Sequence, residues 1–563
     1  MKKTLLITFS GLDGNFGGKI HSSNLYGFLN LFSDVEYTIN YIEKKLPSDY
    51  EKFYQIVFGG DQILQMQLYQ NHIHKYLGPN INKKIIVFGS SFGNLYGDIN
   101  PLTSVTSQYL TLIKNLKKIM PIGVRETNQE VIEKFGLKNF HVCDPALLLG
   151  REDYEKMLEE YPINKKDFSF GYYVWWWQKS DPEQSIPEDE ELDIVSRAPS
   201  AGNVNPLNLS IGQWLWLIKN CKVLYTNSFH TYLFGTLFNK RVIFINPKAN
   251  NMIRMEYFKN YYQIEYDKDR NITNYDDVIK RINIDRRESI LYLYKKIYDP
   301  ITAYYARNKD NYPLSSSGGI SKVLSRYIIQ NNGCVYGVAW KDLFHTEHIC
   351  IESMDDYYKI NGSKYIPSKL PKFKEIKDKL DSGKLVMFVG TPCQIRALQI
   401  YLYFKQYPNL LLVDLLCSSI FDPKKYKEIV EKALLNKNWK LEDIDEIRHR
   451  WKECGKPGCN INININSFNN ESIQIYKNGI EFSEQKFLNS LEMCKKCPCG
   501  GSGEFKKTHY SDITIGDAWK YFRNENSKWS RVLINTKKGL FYFNNVLKDL
   551  YTEEVNVNYM RER

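Results

Sequence analysis

The chain of 563 residues contains no apolar run that approaches eighteen residues. Because a membrane-spanning helix needs roughly 20 consecutive apolar residues, we expect no transmembrane segment and at most peripheral association with a membrane. Residues 1–9 begin with two lysines and a short apolar stretch, as a signal peptide does, but no small-residue cleavage site follows. We therefore predict that this stretch is the first buried strand of a cytoplasmic protein.

Cysteine is scarce in the first half of the chain. Only Cys143 and Cys221 precede residue 300, and the rest of the 11 cysteines follow it. This uneven distribution is not typical of a disulfide framework. It predicts a metal or redox module in a reducing compartment, confined to the second half.

The chain also lacks any motif for binding nucleic acid. Its net charge of +12 is modest for the length, so we expect no nucleic-acid partner. The positive excess instead suits anionic substrates such as phosphates and nucleotide- or lipid-linked sugars. Hydrophobic residues at 43% and charged residues at 25% are ordinary for a globular protein. At roughly 150 residues per domain, the length predicts three or four domains.

Residues 1–150 alternate apolar, strand-like runs with amphipathic stretches. The strand candidates are 5–9, 55–58, 84–88 and 121–124, and the helix candidates are 104–119 and 128–135. Such alternation predicts a parallel sheet with helices on both faces, that is, a Rossmann-like domain. Ligands bind at the carboxyl ends of such strands. There, Gly17 and Gly18 would let backbone N–H groups approach an anion at the start of a helix.

Residues 151–267 repeat this pattern and predict a second Rossmann-like domain. Its strand candidates are 169–177, 221–226 and 241–245, with a helix at 231–238. Asn227, Ser228 and His230 lie between a strand and a helix amino terminus, a favourable place for a phosphate or carboxylate. His230 is a candidate acid–base group. Arg125 is a candidate anion clamp, and a salt bridge to Glu126 is the alternative interpretation.

Five motifs in this half resemble one known family. They are Gly14–Gly18, Ile122–Glu126, Val142–Leu149 with Asp144 and Pro145, Trp214–Ile218, and Thr226–His230 with Gly235. Over residues 1–265 the chain resembles the polysaccharide pyruvyl transferases, although Thr231 stands where the family usually has glycine. The resemblance implies two Rossmann-like domains in a GT-B-like arrangement and transfer of pyruvyl from phosphoenolpyruvate to a sugar. It also implies a set of site residues: His230, Arg125 and Ser228 in catalysis, and Gly17, Gly18 and Asn227 in donor binding.

The second half carries the cysteines. We interpret residues 268–310 as a closing helix and linker, and 311–563 as a separate α+β domain. Cys494 and Cys497 form a Cys-x-x-Cys pair, and Cys393 and Cys417 each follow an apolar, strand-like run. Four thiolates in such settings suit one four-iron, four-sulfur cluster. Three other thiols remain alternative ligands: Cys454, Cys459 and Cys499.

Seven ordered motifs here resemble a second family. They are Ser315–Ile320, Gly333–Gly337, Gly362–Ile366, Gly390–Gln394, Asp414–Cys417, Cys494–Cys497 and Asp512–Asp517. The segment resembles the beta subunit of coenzyme F420-reducing hydrogenases and dehydrogenases, with Ser418 in place of the usual histidine. The resemblance implies a 4Fe-4S cluster, a flavin (FAD, FMN or the deazaflavin F420) and hydride or electron transfer with an external electron donor. The cofactor-binding candidates are Ser316, Ser317, Gly318, Gly319, Lys364, Tyr365, Thr391 and Asp517.

The predicted fold class is α/β: two Rossmann-like domains in a GT-B-like arrangement, followed by an α+β flavin/iron–sulfur domain. The predicted function is a bifunctional enzyme of surface or capsular polysaccharide biosynthesis, a pyruvyl transferase fused to an oxidoreductase. The alternative is a flavin/iron–sulfur oxidoreductase whose transferase-like half only binds a sugar or glycan precursor.

Overall fold

The structure is a computed structural model, and it divides the chain into two compact units, Met1–Ile297 and Tyr298–Arg563. The division falls inside the segment 268–310 that we interpret as a closing helix and linker. The described residues are 3–8, 16–39, 52–60, 84–91, 114–119, 121–126, 133, 136–160, 168–173, 192–196, 209–244, 249–297, 299–310, 315–417, 420–449, 463–467, 472–475, 509–518 and 529–562.

The first unit opens with a four-stranded parallel sheet. Its strands are β1 (Lys3–Thr8), β2 (Asp34–Ile39), β3 (Gln55–Gly59) and β4 (Lys84–Phe88), in the order β2-β1-β3-β4. Helix α1 (Phe16–Leu29) connects β1 to β2. All five residues of β3 are buried, as expected where helices cover a parallel sheet. A smaller parallel sheet follows, formed by β5 (Ser90–Ser91), β6 (Ile122–Glu126) and β7 (Asn139–His141).

A second four-stranded parallel sheet completes the first unit. Its strands are β8 (Ser169–Tyr173), β9 (Leu192–Ser196), β10 (Val223–Thr226) and β11 (Arg241–Phe244), in the order β11-β10-β8-β9. The described helices of this part are α2 (Arg151–Glu155), α3 (Ile211–Asn220), α4 (Phe229–Leu237), α5 (Ala249–Tyr261) and α6 (Tyr275–Ile297). Helix α3 begins at a capping box, in which Ser210 Oγ accepts from Gln213 N–H and the Gln213 side chain accepts from Ser210 N–H.

The strand predictions in this half agree with the structure to within a few residues, apart from 169–177, whose last four residues lie outside the described ranges. The predicted helices 104–119 and 128–135 also lie largely outside them.

The second unit is built on a nine-stranded mixed sheet. Its strands are β12 (Thr302–Asn308), β13 (Cys334–Trp340), β14 (Thr346–Ile351), β15 (Ser368–Lys369), β16 (Val386–Gly390), β17 (Leu410–Leu415), β21 (Ile513–Asp517), β22 (Ser530–Ile534) and β23 (Leu550–Val555). Their order is β15-β14-β13-β16-β17-β21-β22-β12-β23. A three-stranded antiparallel sheet stands apart, formed by β18 (Ile444–His449), β19 (Ile463–Ser467) and β20 (Ser472–Ile475).

At the centre of the large sheet, β13, β16, β17 and β21 pair in parallel. Strands β14, β22, β12 and β23 each pair antiparallel with their inner neighbour, and β15 at one edge pairs in parallel with β14. The described helices of this unit are α7 (Ile320–Gln330), α8 (Tyr357–Ile360), α9 (Phe373–Asp381), α10 (Pro392–Tyr401), α11 (Pro423–Leu435), α12 (Lys537–Val546) and α13 (Val557–Glu562). Helices α7 and α12 pack on the sheet through buried residues such as Leu324 and Phe543. Strands β16 and β17 are parallel neighbours, so their carboxyl ends lie side by side, with Gly390 paired to Asp414.

The mixed α/β architecture with parallel sheets agrees with the predicted fold class. The GT-B-like arrangement and the flavin/iron–sulfur character of the second unit stay predictions. Among the described helices, none combines the length and the hydrophobicity needed to cross a membrane.

Candidate functional site

A buried carboxylate, Asp144, forms the centre of a polar cluster in the first unit. It follows β7 and caps the short 3-10 helix Pro145–Leu148, accepting from Ala146 N–H at 2.9 Å. An aspartate before a proline suits this position, because the side chain accepts a free N–H and proline has none to lose. Only 5% of Asp144 is exposed. The cap fixes the direction in which its carboxylate points.

Two basic side chains contact this carboxylate from different elements. His21 Nε2 contacts Asp144 Oδ1, and Arg125 Nη1 contacts Asp144 Oδ2. His21 lies on α1, and Arg125 lies near the carboxyl end of β6. Both side chains are almost completely buried. A buried charge is tolerated only when it is paired, so these contacts hold the cluster together.

A second histidine completes the cluster. His230 Nε2 lies 2.8 Å from His21 Nε2 and 3.8 Å from Asp144 Oδ2. Since the ionised Asp144 only accepts hydrogen bonds, His21 Nε2 must carry the hydrogen that faces it. His230 Nε2 is within hydrogen-bonding distance of the same His21 nitrogen and close to the second carboxylate oxygen of Asp144. The three side chains therefore form one polar group around Asp144.

The charges in the cluster set its protonation states. Burial alone would raise the pKa of Asp144, but His21 and Arg125 hold that pKa well below its usual range. Burial, together with the charge of His21, lowers the pKa of His230 to about 4. At neutral pH, Asp144 is thus ionised and His230 is neutral.

Local sequence explains how distant residues meet here. His230 is the second residue of α4, directly after the short loop that leaves β10. His21 lies one turn into α1, the first helix after β1. Gly60, with φ of +69°, follows β3, and a Cβ there would lie 3.1 Å from His21 Nδ1. Glycine at this position therefore lets the loop approach His21 closely.

A pocket opens beside the cluster. Its empty volume is about 290 Å³, open mouth included. Arg125, Cys143 and Asp144 line it, Arg254 of α5 adds a second guanidinium, and the other lining side chains carry aromatic rings. The Arg254 guanidinium lies 4.2 Å from the centroid of the Phe229 ring, a cation–π contact that orients it. Two arginines beside one carboxylate make this pocket suited to an anion.

Ring stacking and hydrogen bonds join the aromatic side chains that line the pocket. Tyr257 and Tyr261 stack with centroids 5.8 Å apart, and His141 stacks on Tyr261 at 3.9 Å. His141 Nε2 lies 3.2 Å from Asp285 Oδ2, which also accepts from Tyr262 Oη at 2.5 Å. A flat wall with polar edges is suited to packing against a sugar ring.

The other predicted residues of the first unit lie close to this cluster in sequence. Ser228 caps α4 and Asn227 precedes it, and both are buried. Gly17 and Gly18 lie in the first turn of α1, one turn before His21. Arg125 contacts Asp144, whereas the side chain of Glu126 lies outside what the structure describes.

Sequence reasoning missed three members of this site as functional residues: His21, Asp144 and Arg254. Asp144 was visible as part of the Asp-Pro motif, and His21 follows the glycine loop by one helical turn. Arg254 had no such signal, because nothing in its neighbourhood distinguishes it from a surface arginine.

In the second unit, two predicted cluster ligands follow the carboxyl ends of β16 and β17, which are neighbouring central strands. Cys393 is exposed in the first turn of α10, after β16, and Cys417 is half-buried two residues beyond β17. Thr391 caps α10 and its Oγ1 lies 3.1 Å from Cys393 Sγ. Accessible thiols at adjacent strand ends, one of them at a helix amino terminus, fit a metal–sulfur site. Cys494 and Cys497, and the alternatives Cys454, Cys459 and Cys499, lie outside the described residues.

The serine–glycine loop of the flavin prediction contacts the protein itself. Ser317 Oγ donates to Trp529 O at 3.0 Å, and Gly318 N–H donates to Ser530 Oγ at 2.9 Å. Ser316 Oγ accepts from Ser363 N–H at 3.0 Å. A Cβ on Gly318 would lie 2.4 Å from Ala306 O. These contacts explain Gly318 by packing, so the residues of this loop do not by themselves indicate a flavin.

Gly319, Lys364 and Tyr365 complete this region. Gly319 caps α7 in the left-handed region, with φ of +74°. Lys364 Nζ donates to Asn361 O at 2.8 Å, and burial lowers the pKa of Lys364 to about 7. Tyr365 N–H donates to His449 Nδ1 at 2.9 Å.

Asp517 ends β21, and its carbonyl oxygen accepts from Arg531 Nε at 2.7 Å. The flavin-binding roles of Ser316, Ser317, Gly318, Gly319, Lys364, Tyr365, Thr391 and Asp517 stay predictions.

Comparison with known proteins identifies both halves. Residues 18–249 match the polysaccharide pyruvyl transferase family, and residues 383–559 match the carboxyl-terminal part of the coenzyme F420 hydrogenase/dehydrogenase beta subunit. No curated protein matches the chain.

Two solved structures are similar to part of the chain. One is the F420-reducing NiFe hydrogenase complex from Methanosarcina barkeri, at 20% identity over 46% of this chain and 82% of that one, with a TM-score of 0.34. The other is a functionally uncharacterized protein from Klebsiella pneumoniae, at 17% identity over 46% of this chain and 88% of that one, with a TM-score of 0.29. The chain joins a polysaccharide pyruvyl transferase domain to a coenzyme F420 hydrogenase/dehydrogenase beta-subunit domain.

Proposed function

We propose that this fusion of a pyruvyl transferase domain with a hydrogenase beta-subunit-like domain is a bifunctional enzyme of surface polysaccharide biosynthesis. The first unit transfers pyruvyl from phosphoenolpyruvate to a nucleotide- or lipid-linked sugar. The second unit is an iron–sulfur and flavin oxidoreductase supplied by an external electron donor. The observation that supports the transferase most strongly is the buried cluster of His21, Asp144, His230 and Arg125 beside an arginine-lined pocket.

The charges of the pocket fit the donor. Phosphoenolpyruvate carries a carboxylate and a phosphate, and Arg125 and Arg254 offer two guanidinium groups that each suit one anion. The starts of α1, at Gly17 and Gly18, and of α4, at Asn227 and Ser228, are further places that suit the phosphate, because helix amino termini favour anions. The Ser228 N–H itself donates to Thr226 Oγ1.

The His21–His230 pair suits the proton transfers of the reaction. Neutral His230 accepts the proton of the sugar hydroxyl whose oxygen bonds to C2 of the donor. The pair returns one proton to C3, which becomes the methyl group. A second hydroxyl then attacks C2, the C–O bond to phosphate breaks, and the second hydroxyl proton leaves with the phosphate. Asp144 does not react in this scheme, and it holds His21 in the required tautomer.

The aromatic wall provides a surface for the acceptor. Tyr257 and Tyr261 present stacked rings at the pocket, and a sugar ring packs against such faces through its C–H groups. Arg125 and Asp144, which belong to the histidine cluster, line the same pocket.

In the second unit, Cys393 and Cys417 would hold a 4Fe-4S cluster together with Cys494 and Cys497. The cluster would supply one-electron transfer when bound. Of the described residues, Thr391 orients Cys393 through its contact with the thiol. Loss of phosphate from the first adduct, before the second hydroxyl attacks, gives an enolpyruvyl ether. Its C=C bond would accept a hydride and a proton and so would link the two activities, whereas the closed ketal has no group that accepts a hydride.

The test is to incubate the full chain with phosphoenolpyruvate and a sugar diol, measuring phosphate release and the ketal by mass spectrometry. We expect both products from the wild type and neither from His230→Ala. The rival function, a redox enzyme with a substrate-binding half, predicts no phosphate release from either protein. Under that rival, His230→Ala changes only the affinity for the sugar. Phosphate release by His230→Ala at the wild-type rate would overturn the proposed role of the cluster.

A further inference from the structure

A second group of metal-binding side chains lies in the second unit, away from the predicted iron–sulfur ligands. The sulfur atoms of Cys334 and Cys350 and a carboxylate oxygen of Glu352 all lie within 4.8 Å of one another. No part of the proposed function uses these three residues. We propose that Cys334, Cys350 and Glu352 form a binding site for a thiophilic divalent cation, Zn²⁺.

The strand register brings the three ligands to one face of the sheet. β13 and β14 are antiparallel, with Tyr336 opposite Cys350 and Val335 opposite Ile351. Continuing the register by one pair places Cys334 opposite Glu352. Because side chains alternate between faces along a strand, Cys334, Cys350 and Glu352 point to the same side.

The same register favours a metal over a disulfide. Cys334 and Cys350 are diagonal neighbours, for which Cα atoms are typically about 7–8 Å apart. A disulfide needs Cα atoms roughly 4.4–6.8 Å apart. A zinc ion with bonds of about 2.3 Å to sulfur and about 2.0–2.2 Å to oxygen bridges the wider gap without movement of the strands.

The charges around the site also suit zinc. Lys379 Nζ lies 2.8 Å from Glu352 Oε1, and Lys384 Nζ lies 3.4 Å from Glu352 Oε2. Two thiolates, one carboxylate and Zn²⁺ carry a single net negative charge, which Lys379 balances. The lysines then act as second-shell partners that orient the carboxylate.

Position separates this site from the predicted cluster. Cys334 is the first residue of β13 and pairs with Val386, the first residue of β16. Cys393 and Cys417 lie beyond the opposite, carboxyl ends of β16 and β17. Five residues of strand span roughly 16 Å. Cys334 is buried and Cys350 is half-buried. These three residues fill three of the four positions that zinc usually has, so the fourth is left for water.

The test is zinc titration of the full, metal-free chain against a chromophoric chelator, with Co²⁺ as a spectroscopic substitute. We expect Cys334→Ser and Cys350→Ser each to lose one zinc equivalent and part of the thiolate-to-cobalt charge-transfer band. Glu352→Gln should keep the thiolates but weaken zinc affinity, because a neutral amide replaces an anionic ligand. Cys221→Ser removes a buried thiol elsewhere and should keep every equivalent.

Two results would overturn the proposal. One is an equal zinc count in the wild type, Cys350→Ser and Glu352→Gln, whose altered side chains are accessible and least expected to disturb folding. The other is a Cys334–Cys350 disulfide in peptide maps of the protein as purified, since it would leave no thiolates for the metal. Repeating the titration with Cys494→Ser and Cys497→Ser distinguishes the proposed zinc site from the predicted cluster site. Both variants should still bind one zinc at Cys334, Cys350 and Glu352.

Discussion

His21 Nε2 lies 2.8 Å from His230 Nε2, although 209 positions separate the two residues in the chain. One comes from the first helix after β1 and the other from the first turn after β10. Each histidine lies on the helix that follows the carboxyl end of its strand, the end at which parallel α/β sheets bind ligands. A pair formed from two separate sheets depends on both sheets being folded.

The first prediction concerns this pair. His21→Ala should lower kcat for pyruvyl transfer by roughly 10²–10⁴-fold, because it removes the imidazole that contacts both Asp144 and His230. His21→Gln retains a side-chain N–H that can face Asp144 but cannot pass a proton on, so it should be nearly as inactive. Phosphate release under saturating donor measures the effect. An active His21→Gln enzyme would show that His21 only supports the fold around Asp144.

Arg254 provides a second prediction. Arg254→Ala should raise KM for phosphoenolpyruvate roughly 10- to 100-fold, the loss expected for one hydrogen bond to a charged group, with a smaller change in kcat. Arg287 pairs with Glu288 on the surface, so Arg287→Ala is the matched control and should leave KM unchanged. Steady-state kinetics at varied phosphoenolpyruvate concentration measure KM and kcat for both variants. If both variants raised KM equally, net charge alone would explain donor binding.

Sequence periodicity predicted the parallel sheets well, since buried strands of parallel sheets are short continuous apolar runs. It also placed His230 and Arg125 correctly at strand ends, because that inference needs only the order of the elements. Contacts between residues far apart were out of its reach. Nothing local to His21 shows that its partner is Asp144, and nothing local to Arg254 shows that it faces the same pocket.

In the second unit, a different limit applied to what the sequence alone could predict. The serine–glycine loop 315–319 is a weak signal, because such loops serve turns and phosphate sites alike. Contacts with Ser530 and Ala306 are visible only in the fold. Likewise, the cross-strand neighbours Cys334 and Cys350 are separated by a hairpin whose register the sequence does not specify.

Acid should destabilise the second unit through a buried histidine. Burial lowers the pKa of His348 to about 4, whereas an unfolded histidine has a pKa of about 6.5. Between these values the unfolded state binds more protons, so stability is present above about pH 6.5 and is lost as pH falls toward 4. From pH 7.5 to 5, this residue should cost about 2 kcal/mol of unfolding free energy.

Urea unfolding of the wild type and His348→Gln at both pH values measures this loss. The variant cannot titrate at this position, so its stability should fall less between the two conditions. His345→Gln, at a side chain that is 71% exposed, controls for the substitution itself. The same pH response in His348→Gln as in the wild type would argue against this source of acid sensitivity.

Gly318 should tolerate no side chain. A Cβ there would lie 2.4 Å from Ala306 O and 2.8 Å from Ser530 N, both backbone atoms that cannot turn aside. Gly318→Ala should therefore destabilise the unit by about 1–3 kcal/mol. Gly27→Ala is the control, since a Cβ at this helical position meets nothing within 4 Å, and it should be neutral or stabilising. Thermal melts of both variants test this, and equal melting temperatures would contradict the packing argument.

The predicted iron–sulfur cluster gives the last prediction. Cys393→Ser and Cys417→Ser should each reduce the iron content of anaerobically purified protein and its visible absorption, because each thiol lies at the carboxyl end of one of two paired strands. The wild type should hold about four irons per chain. Cys221→Ser removes a buried thiol of the first unit and should retain all the iron. Full iron in both cluster variants would mean that these strand ends do not hold the cluster, and the thiols of Cys454, Cys459 and Cys499 would then become the candidates.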